Sequence, residues 1–419
     1  IEKCMSFNTK VTMTEIPNST TQKPIPTRTP MGRNEKILMT VLIFIASIAL
    51  FIRFVPVSFL GIDVVALSPG SAPTTIEKIE IEGTETYIPE GAIKFTTVTI
   101  ESDSLTIWEW FQAKNDDIKE LRNREDFYGD KTKTETRKIN NFMMQQSQDT
   151  ASLVAANFLG FDIIPEIEGA YVTEIVSESS ASQFLELGDL IVQVDGFDVR
   201  SPEDLGNAIQ SKKPEDTVSI GFKRSEGTFE IPSPDQELRI EQISLGSHPR
   251  LEDTGFLGVI IQTPLKADIP FDITIDVGRV GGPSAGLAFA LSIVDYLTEG
   301  ELTGGLNVAT TGTIDQYGNI GSVGAYPQKA EAAARSGVDL FLVPPSGYQK
   351  ILKIAAGRFE VRCVSTFDDA IIQLEEFGGN GIQITSELDI PIPTPSPETI
   401  DENDGYLTCA EAVLETTDN

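Results

Sequence analysis

The sequence predicts an α+β protein with an N-terminal transmembrane helix, a β-rich unit preceded by a helical insertion, and a C-terminal mixed α/β unit. Three observations carry this. Ile37 to Val57 is a run of 21 residues with a single charge, Arg53, long enough as a helix to cross a hydrocarbon core. Short β-branched runs separated by Gly and Pro fill 63 to 102 and recur between 159 and 232, the pattern of strands and turns. Beyond residue 240 a β-patterned run, "FDITID", is followed by an almost wholly apolar helical stretch after "GGPSAG" and by the helical "QKAEAAARSG".

The segment before the apolar run, residues 1–36, holds six basic residues (Lys3, Lys10, Lys23, Arg28, Arg33, Lys36) against three acidic ones. The positive-inside rule places such a tail in the cytoplasm. No small-x-small cleavage site follows the run, so 37–57 reads as an uncleaved signal anchor, and everything from about Gly61 onward is expected outside the cytoplasm, without access to ATP. The first residue is Ile, which leaves Met5, Met13 and Met31 as candidate starts. Residues 63–158 form a strand-plus-helix region: "KIEIEG", "TYIP" and "IKFTTVTI" as strands, then a polar helical stretch from Leu105 to Leu159. It is expected to precede and support the next unit.

The 419 residues carry 63 acidic against 32 basic side chains, a net charge of −31. That balance excludes a nucleic-acid partner, since a phosphate backbone is bound through clustered Lys and Arg. No Gly-x-x-x-x-Gly-Lys-Ser/Thr phosphate loop is present. Cys4, Cys363 and Cys409 are far apart and in no Cys-x-x-Cys spacing, so neither a disulfide nor a metal site is expected, and no cofactor is called for. Residues 379–419 are acidic and proline-rich, which predicts a flexible tail with a short helix near Cys409 to Leu414.

Between 159 and 232 the runs "GAYVTEIVSESSASQFLELGDLIVQVDGFDV", "SPEDLGNAIQ" and "TVSIGFKR" follow one another, with Gly188-Asp189-Leu190-Ile191 and Asp195-Gly196 at their centre. This resembles a PDZ domain of the kind associated with bacterial proteases. The resemblance implies a sheet edge beside a helix, where a peptide adds a strand and its terminal carboxylate is held by backbone amides. Leu159-Gly160-Phe161 is the candidate carboxylate loop, because glycine lets N–H groups approach an anion.

Ser284 stands in "RVGGPSAG" ahead of the apolar helix. Gly281 and Gly282 permit a tight turn, and Pro283 suits a helix start. The hydroxyl there is either a nucleophile beside amides that could hold an oxyanion, or a plain helix N-cap. His248, the one histidine, lies in "GSHPR" and reads as a linker residue rather than a base. A buried lysine can serve instead, since desolvation lowers its pKa, and Lys329 at the start of "QKAEAAARSG" is the candidate.

The succession "GGPSAG", "ATTGTID" and "GNIGSVGAYPQKAEAAARSGVDLFLVPP" resembles the proteolytic domain of the Lon peptidases over 240–376. The whole layout looks like the bacterial membrane-anchored, PDZ-containing Lon-like serine proteases, which lack an ATPase domain. The resemblance implies a Ser-Lys dyad, with Ser284 as nucleophile, Lys329 as general base, Thr311 orienting the lysine, and Gly282 and Pro283 supporting the loop. It implies ATP-independent cleavage of unfolded or flexible segments, C-terminal peptide tails as PDZ partners, and a homo-oligomeric ring. One departure is Gly281, where the ATP-dependent members often carry an acidic residue. "FDITID" is a candidate edge for the substrate strand. A non-cleaving PDZ scaffold and a self-processing protein are the rival readings.

Overall fold

The computed structural model describes residues 32–101, 105–129, 131–163, 166–167, 169–176, 179–224, 232, 235–249, 251, 253–262, 265–266, 269–388, 390–394 and 408–414. Cys4 and most of the basic N-terminal tail lie outside them. The chain divides into two compact units, Ile1–Phe54 and Val55–Asn419. Among the described residues the first contains one helix, Arg33–Phe54, of 22 residues, none buried. It ends three residues before the expected Val57, because Pro56 follows and Val57 is already buried in the second unit, its N–H donating to the Leu105 carbonyl at 2.7 Å.

Within the second unit a four-stranded parallel sheet runs in the order Glu360–Cys363, Leu340–Val343, Asn307–Thr310, Ala92–Phe95. Side chains alternate across it, as they must in a strand. Val308, Leu340 and Leu342 face a core built around the helix Gly286–Leu297, whereas Ala309, Phe341 and Val343 face Tyr326, Ala330 and Ala333 of the helix Tyr326–Arg335. The two helices expected to carry the serine and the lysine therefore cover opposite faces of one sheet. A long helix, Lys133–Phe158, opens with a capping box between Thr132 and Glu135 and packs through Met144, Ala151, Val154 and Ala155 against the first of these cores.

A second, antiparallel sheet has the order Arg239–Ser244, Thr217–Lys223, Leu190–Val194, Ala170–Ile175, Val259–Gln262. Asp195 and Gly196, both at positive φ, turn Leu190–Val194 back into Phe197–Asp198, the two-residue hairpin that an Asp-Gly pair favours. Asp189 is fully buried and clasped by Arg224, with Nε and Nη2 each 2.7 Å from a carboxylate oxygen. The helix Pro202–Gln210, capped by the Ser201 hydroxyl, buries Leu205 and Ile209 against this sheet.

Several sequence expectations are corrected here. The region 63–158 does not merely support the β-rich unit: Ala92–Phe95 is a strand of the parallel sheet, and Ile79–Glu82 pairs with Asp272–Ile275. Conversely Arg239–Ser244 and Val259–Gln262 belong to the antiparallel sheet and not to the C-terminal unit that was expected to begin at 240. Both units borrow strands distant in sequence, which composition does not reveal. The tail expected to be flexible from 379 contains the helix Gly381–Glu387, whose Ile384 is buried in the core. Finally, Cys363 and Cys409 form a disulfide. The helix Cys409–Leu414 returns to the end of the Glu360–Cys363 strand and brings together two thiols 46 residues apart.

Candidate active site

Ser284 lies in the turn before its helix, not at the cap. The N-cap is Ala285, without a side-chain cap bond, and the helix starts at Gly286, so Pro283 precedes the first turn rather than occupying it. The turn is held by the long helix. Gly282, at φ +93°, donates its N–H to the Asn140 carbonyl at 2.7 Å, and the Pro283 carbonyl accepts from the Ser147 hydroxyl at 3.0 Å. A Cβ on Gly281 would come within 2.9 Å of Asn140 Cβ. A side chain at 281 would require Asn140 to shift.

The Ser284 carbonyl is fixed from the other side by the Gly312 N–H at 3.1 Å and the Thr311 hydroxyl at 3.4 Å. Thr311 follows the central strand Asn307–Thr310 and is fully buried. Its oxygen also accepts from Lys329 Nζ at 3.0 Å. Thr311 thus links the serine loop to the lysine at the carboxyl end of the sheet, where the helices from its two faces converge.

Lys329 enters from the first turns of Tyr326–Arg335, behind Ala325 in left-handed conformation (φ 59°), and its own N–H donates to the Ala325 carbonyl at 3.1 Å. The side chain is 4% exposed. Among the described residues the amine has Thr311 as its one hydrogen-bond partner and no carboxylate pairs with it. Burial without a counter-charge disfavours the ammonium, and the pKa falls from 10.5 to about 7. Ser284, Ala285 and Lys329 line one cleft of about 800 Å³, walled by Thr97 to Ile100 and by the Lys133 to Met144 face of the long helix. The "FDITID" run does not line it; Asp272–Ile275 is engaged with Ile79–Glu82.

Comparison with known proteins bears on both units. Residues 157–232 match the PDZ domain family, and residues 268–374 match the Lon protease (S16) C-terminal proteolytic domain. The chain carries a PDZ domain and a Lon-type proteolytic domain. The Lon protease of Aster yellows witches'-broom phytoplasma is 34% identical over 96 residues, covering 22% of this chain and 12% of the relative. That of Neorickettsia sennetsu is 27% identical over 159 residues, 32% of this chain and 19% of the relative. The chain thus spans a fifth or less of these curated relatives. The solved PDZ domain of an SdrC-like protein from Listeria monocytogenes is 26% identical, covering 22% of this chain and 87% of that one at a TM-score of 0.19.

The candidate carboxylate loop Leu159-Gly160-Phe161 lies at the end of the long helix. Leu159 caps the long helix, a Cβ on Gly160 would press within 2.8 Å of Ile390, and Phe161 packs edge-on against Phe271 at 5.4 Å. All three are taken up by helix termination and packing outside the PDZ core. A groove runs between the helix Pro202–Gln210 and the segment Gly255 to Ile261, whose strand Val259–Gln262 forms the outer edge of the sheet. "GFLG", Gly255 to Gly258, with Gly258 at φ +84°, leads into that strand. It was legible as a glycine-flanked turn before the β-branched "VIIQ", but it falls after the PDZ match in the chain. His248 also lines the groove, edge-on to Phe256 at 5.4 Å, and is not a spacer between domains. Asn140 and Ser147, which hold the serine turn, carried no signal 136 or more residues from their partners.

Proposed function

We propose that this protein is a membrane-anchored, ATP-independent serine endopeptidase that uses Ser284 and Lys329 as a dyad and its PDZ groove to capture peptide tails. The observation that carries the reading is a lysine amine, unpaired with any carboxylate among the described residues and shifted by burial to about 7, in the same cleft as a serine at a glycine turn. Near pH 7.5 most of this amine is neutral. It donates one N–H to Thr311, whose hydrogen is directed to the Ser284 carbonyl, so the nitrogen lone pair remains available for the Ser284 proton.

Attack of Ser284 Oγ on a peptide carbonyl would move that proton to Lys329 and place negative charge on the carbonyl oxygen. The amides of Ser284 and Ala285 have no acceptor among the described residues and stand at the positive end of the apolar helix, where an oxyanion is stabilised. Lys329 then protonates the leaving amine, and the acyl-enzyme is hydrolysed by water with the same lysine as base. The ATP-independent reading restricts cleavage to flexible or unfolded segments.

The apolar helix Arg33–Phe54 is consistent with a membrane anchor or a signal sequence. The Cys363–Cys409 disulfide supports an extracytoplasmic protease domain, because such bonds persist in oxidising compartments. A ring of protomers belongs to the same proposal and rests on the Lon likeness alone. The test is degradation of an unfolded protein by the Val55–Asn419 unit without ATP, alongside Ser284→Ala and Lys329→Ala. Turnover by the parent and its loss in both variants support the reading; equal turnover in Ser284→Ala would refute it.

A further inference from the structure

The chain carries a net charge of −31, yet among the described residues no Asp or Glu lines the cleft, and beside Lys329, shifted toward neutral by burial, its Lys and Arg side chains are Lys133, Arg137 and Arg279. Arg137 and Arg279 are exposed and in no ion pair among the described residues. Three nearby carboxylates have hydrogen-bond partners outside the cleft. Glu135 is bound into the helix cap by Thr132 at 2.7 Å, Asp276 accepts from the Gly278 N–H at 2.8 Å, and Glu101 is held by Ser68 at 2.7 Å and by Lys119.

The placement of these cations is set by the long helix. Lys133, Arg137, Asn140 and Met144 recur at intervals of three and four and share its cleft-facing side. Asn140 holds the serine turn through Gly282. At a rise of about 1.5 Å per residue, Arg137 lies about 4.5 Å along the axis from that contact and Lys133 about 10 Å. An extended peptide advances about 3.3 Å per residue, so these distances correspond to side chains about one to three residues from the scissile bond. Arg279 approaches from the serine loop itself, five positions before Ser284.

We propose that Arg137 and Arg279, with Lys133 one turn beyond, select substrates carrying Asp or Glu within about three residues of the cleaved bond. An acidic enzyme surface repels acidic peptides; this local reversal of sign is what admits them to the cleft. The proposal rests on the protease reading of the site, and its test separates the two. Quenched peptides differing only in Glu against Gln at each flanking position are compared by kcat/KM for the parent and for the Arg137→Gln/Arg279→Gln double variant. In parallel, binding of the same peptides to Ser284→Ala, with and without the two arginine changes, is followed by fluorescence anisotropy.

The expected result is an acidic-over-neutral ratio of about tenfold at low salt at one or more positions, shrinking to under about twofold in the double variant and at 0.5 M salt. The binding ratio should follow the same pattern. A parent ratio of one or below, or a ratio unchanged in a double variant with an unaltered melting temperature, overturns the proposal. Should no peptide be cut while Ser284→Ala still binds acidic peptides through the arginines, the selectivity stands and the protease reading falls.

Discussion

Replacing Lys329 by Met removes the buried amine while keeping an unbranched apolar stem in its place, and the consequence for stability depends on pH. The lysine titrates at about 7 in the folded chain against 10.5 ordinarily. At about 1.4 kcal/mol per tenfold change in proton affinity, this corresponds to roughly 5 kcal/mol of burial cost. Below pH 7 both states are protonated and the whole cost is present. Between 7 and 10.5 the unfolded chain binds a proton that the folded one does not, so the parent's stability rises with pH through this window. Above it the cost is gone. Methionine leaves the Thr311 oxygen without the lysine donor, a loss of about 1–3 kcal/mol. Lys329→Met should therefore be more stable than the parent by about 2–4 kcal/mol at pH 6 and no more stable than the parent at pH 10 to 10.5. Urea unfolding of Val55–Asn419 at pH 6, 8 and 10 measures the difference from the midpoints. A gap of the same size and sign at pH 6 and 10 would refute the argument that desolvation governs this amine.

Thr311→Val should lower kcat by about tenfold to a hundredfold, since it removes the group that orients the lysine, whereas Thr311→Ser should retain most of the rate in the same peptide assay. Gly206 faces the PDZ groove, and a Cβ there would meet nothing within 4 Å. Gly206→Gln should weaken binding of peptide tails by at least about tenfold while raising the stability of the Pro202–Gln210 helix by about 0.5–1 kcal/mol, read by anisotropy and by the melting temperature. Loss of the disulfide in Cys409→Ser should release the Cys409–Leu414 helix from the sheet edge. The loop of 46 residues that it closes sets a ceiling of about 4 kcal/mol on the destabilisation, and amide exchange in 408–414 is the readout.

The parts of this protein written in contiguous sequence were legible, and those assembled from distant segments were not. The apolar span, the Asp-Gly hairpin and the glycine turn before Ser284 each depend on residues within a few positions of one another. Lys329 was singled out by its own helix and its company of motifs. The strand Ala92–Phe95 looks like any β-branched run; nothing in its composition says that it completes a sheet with residues beyond 307. The same is true of Val259–Gln262 at the PDZ edge. Leu-Gly-Phe at 159–161 ends the long helix, and a helix end calls for glycine at positive φ as a carboxylate loop does. The disulfide was missed for a related reason: widely spaced cysteines reveal a bond only when the fold returns one to the other. The cationic lining of the cleft is likewise invisible in a net charge of −31, since it arises where one helix face meets one loop.

The central claim is that Lys329, its pKa lowered by burial to about 7, activates Ser284. The most direct test is covalent labelling of Val55–Asn419 by a fluorophosphonate, with the modified residue located by peptide mass spectrometry and the rate followed from pH 5.5 to 9.5. Labelling at Ser284, rising through an apparent pKa near 7 and abolished in the folded Lys329→Met variant, is the expected result. Labelling at another serine, or at Ser284 with equal rate in Lys329→Met, would contradict it.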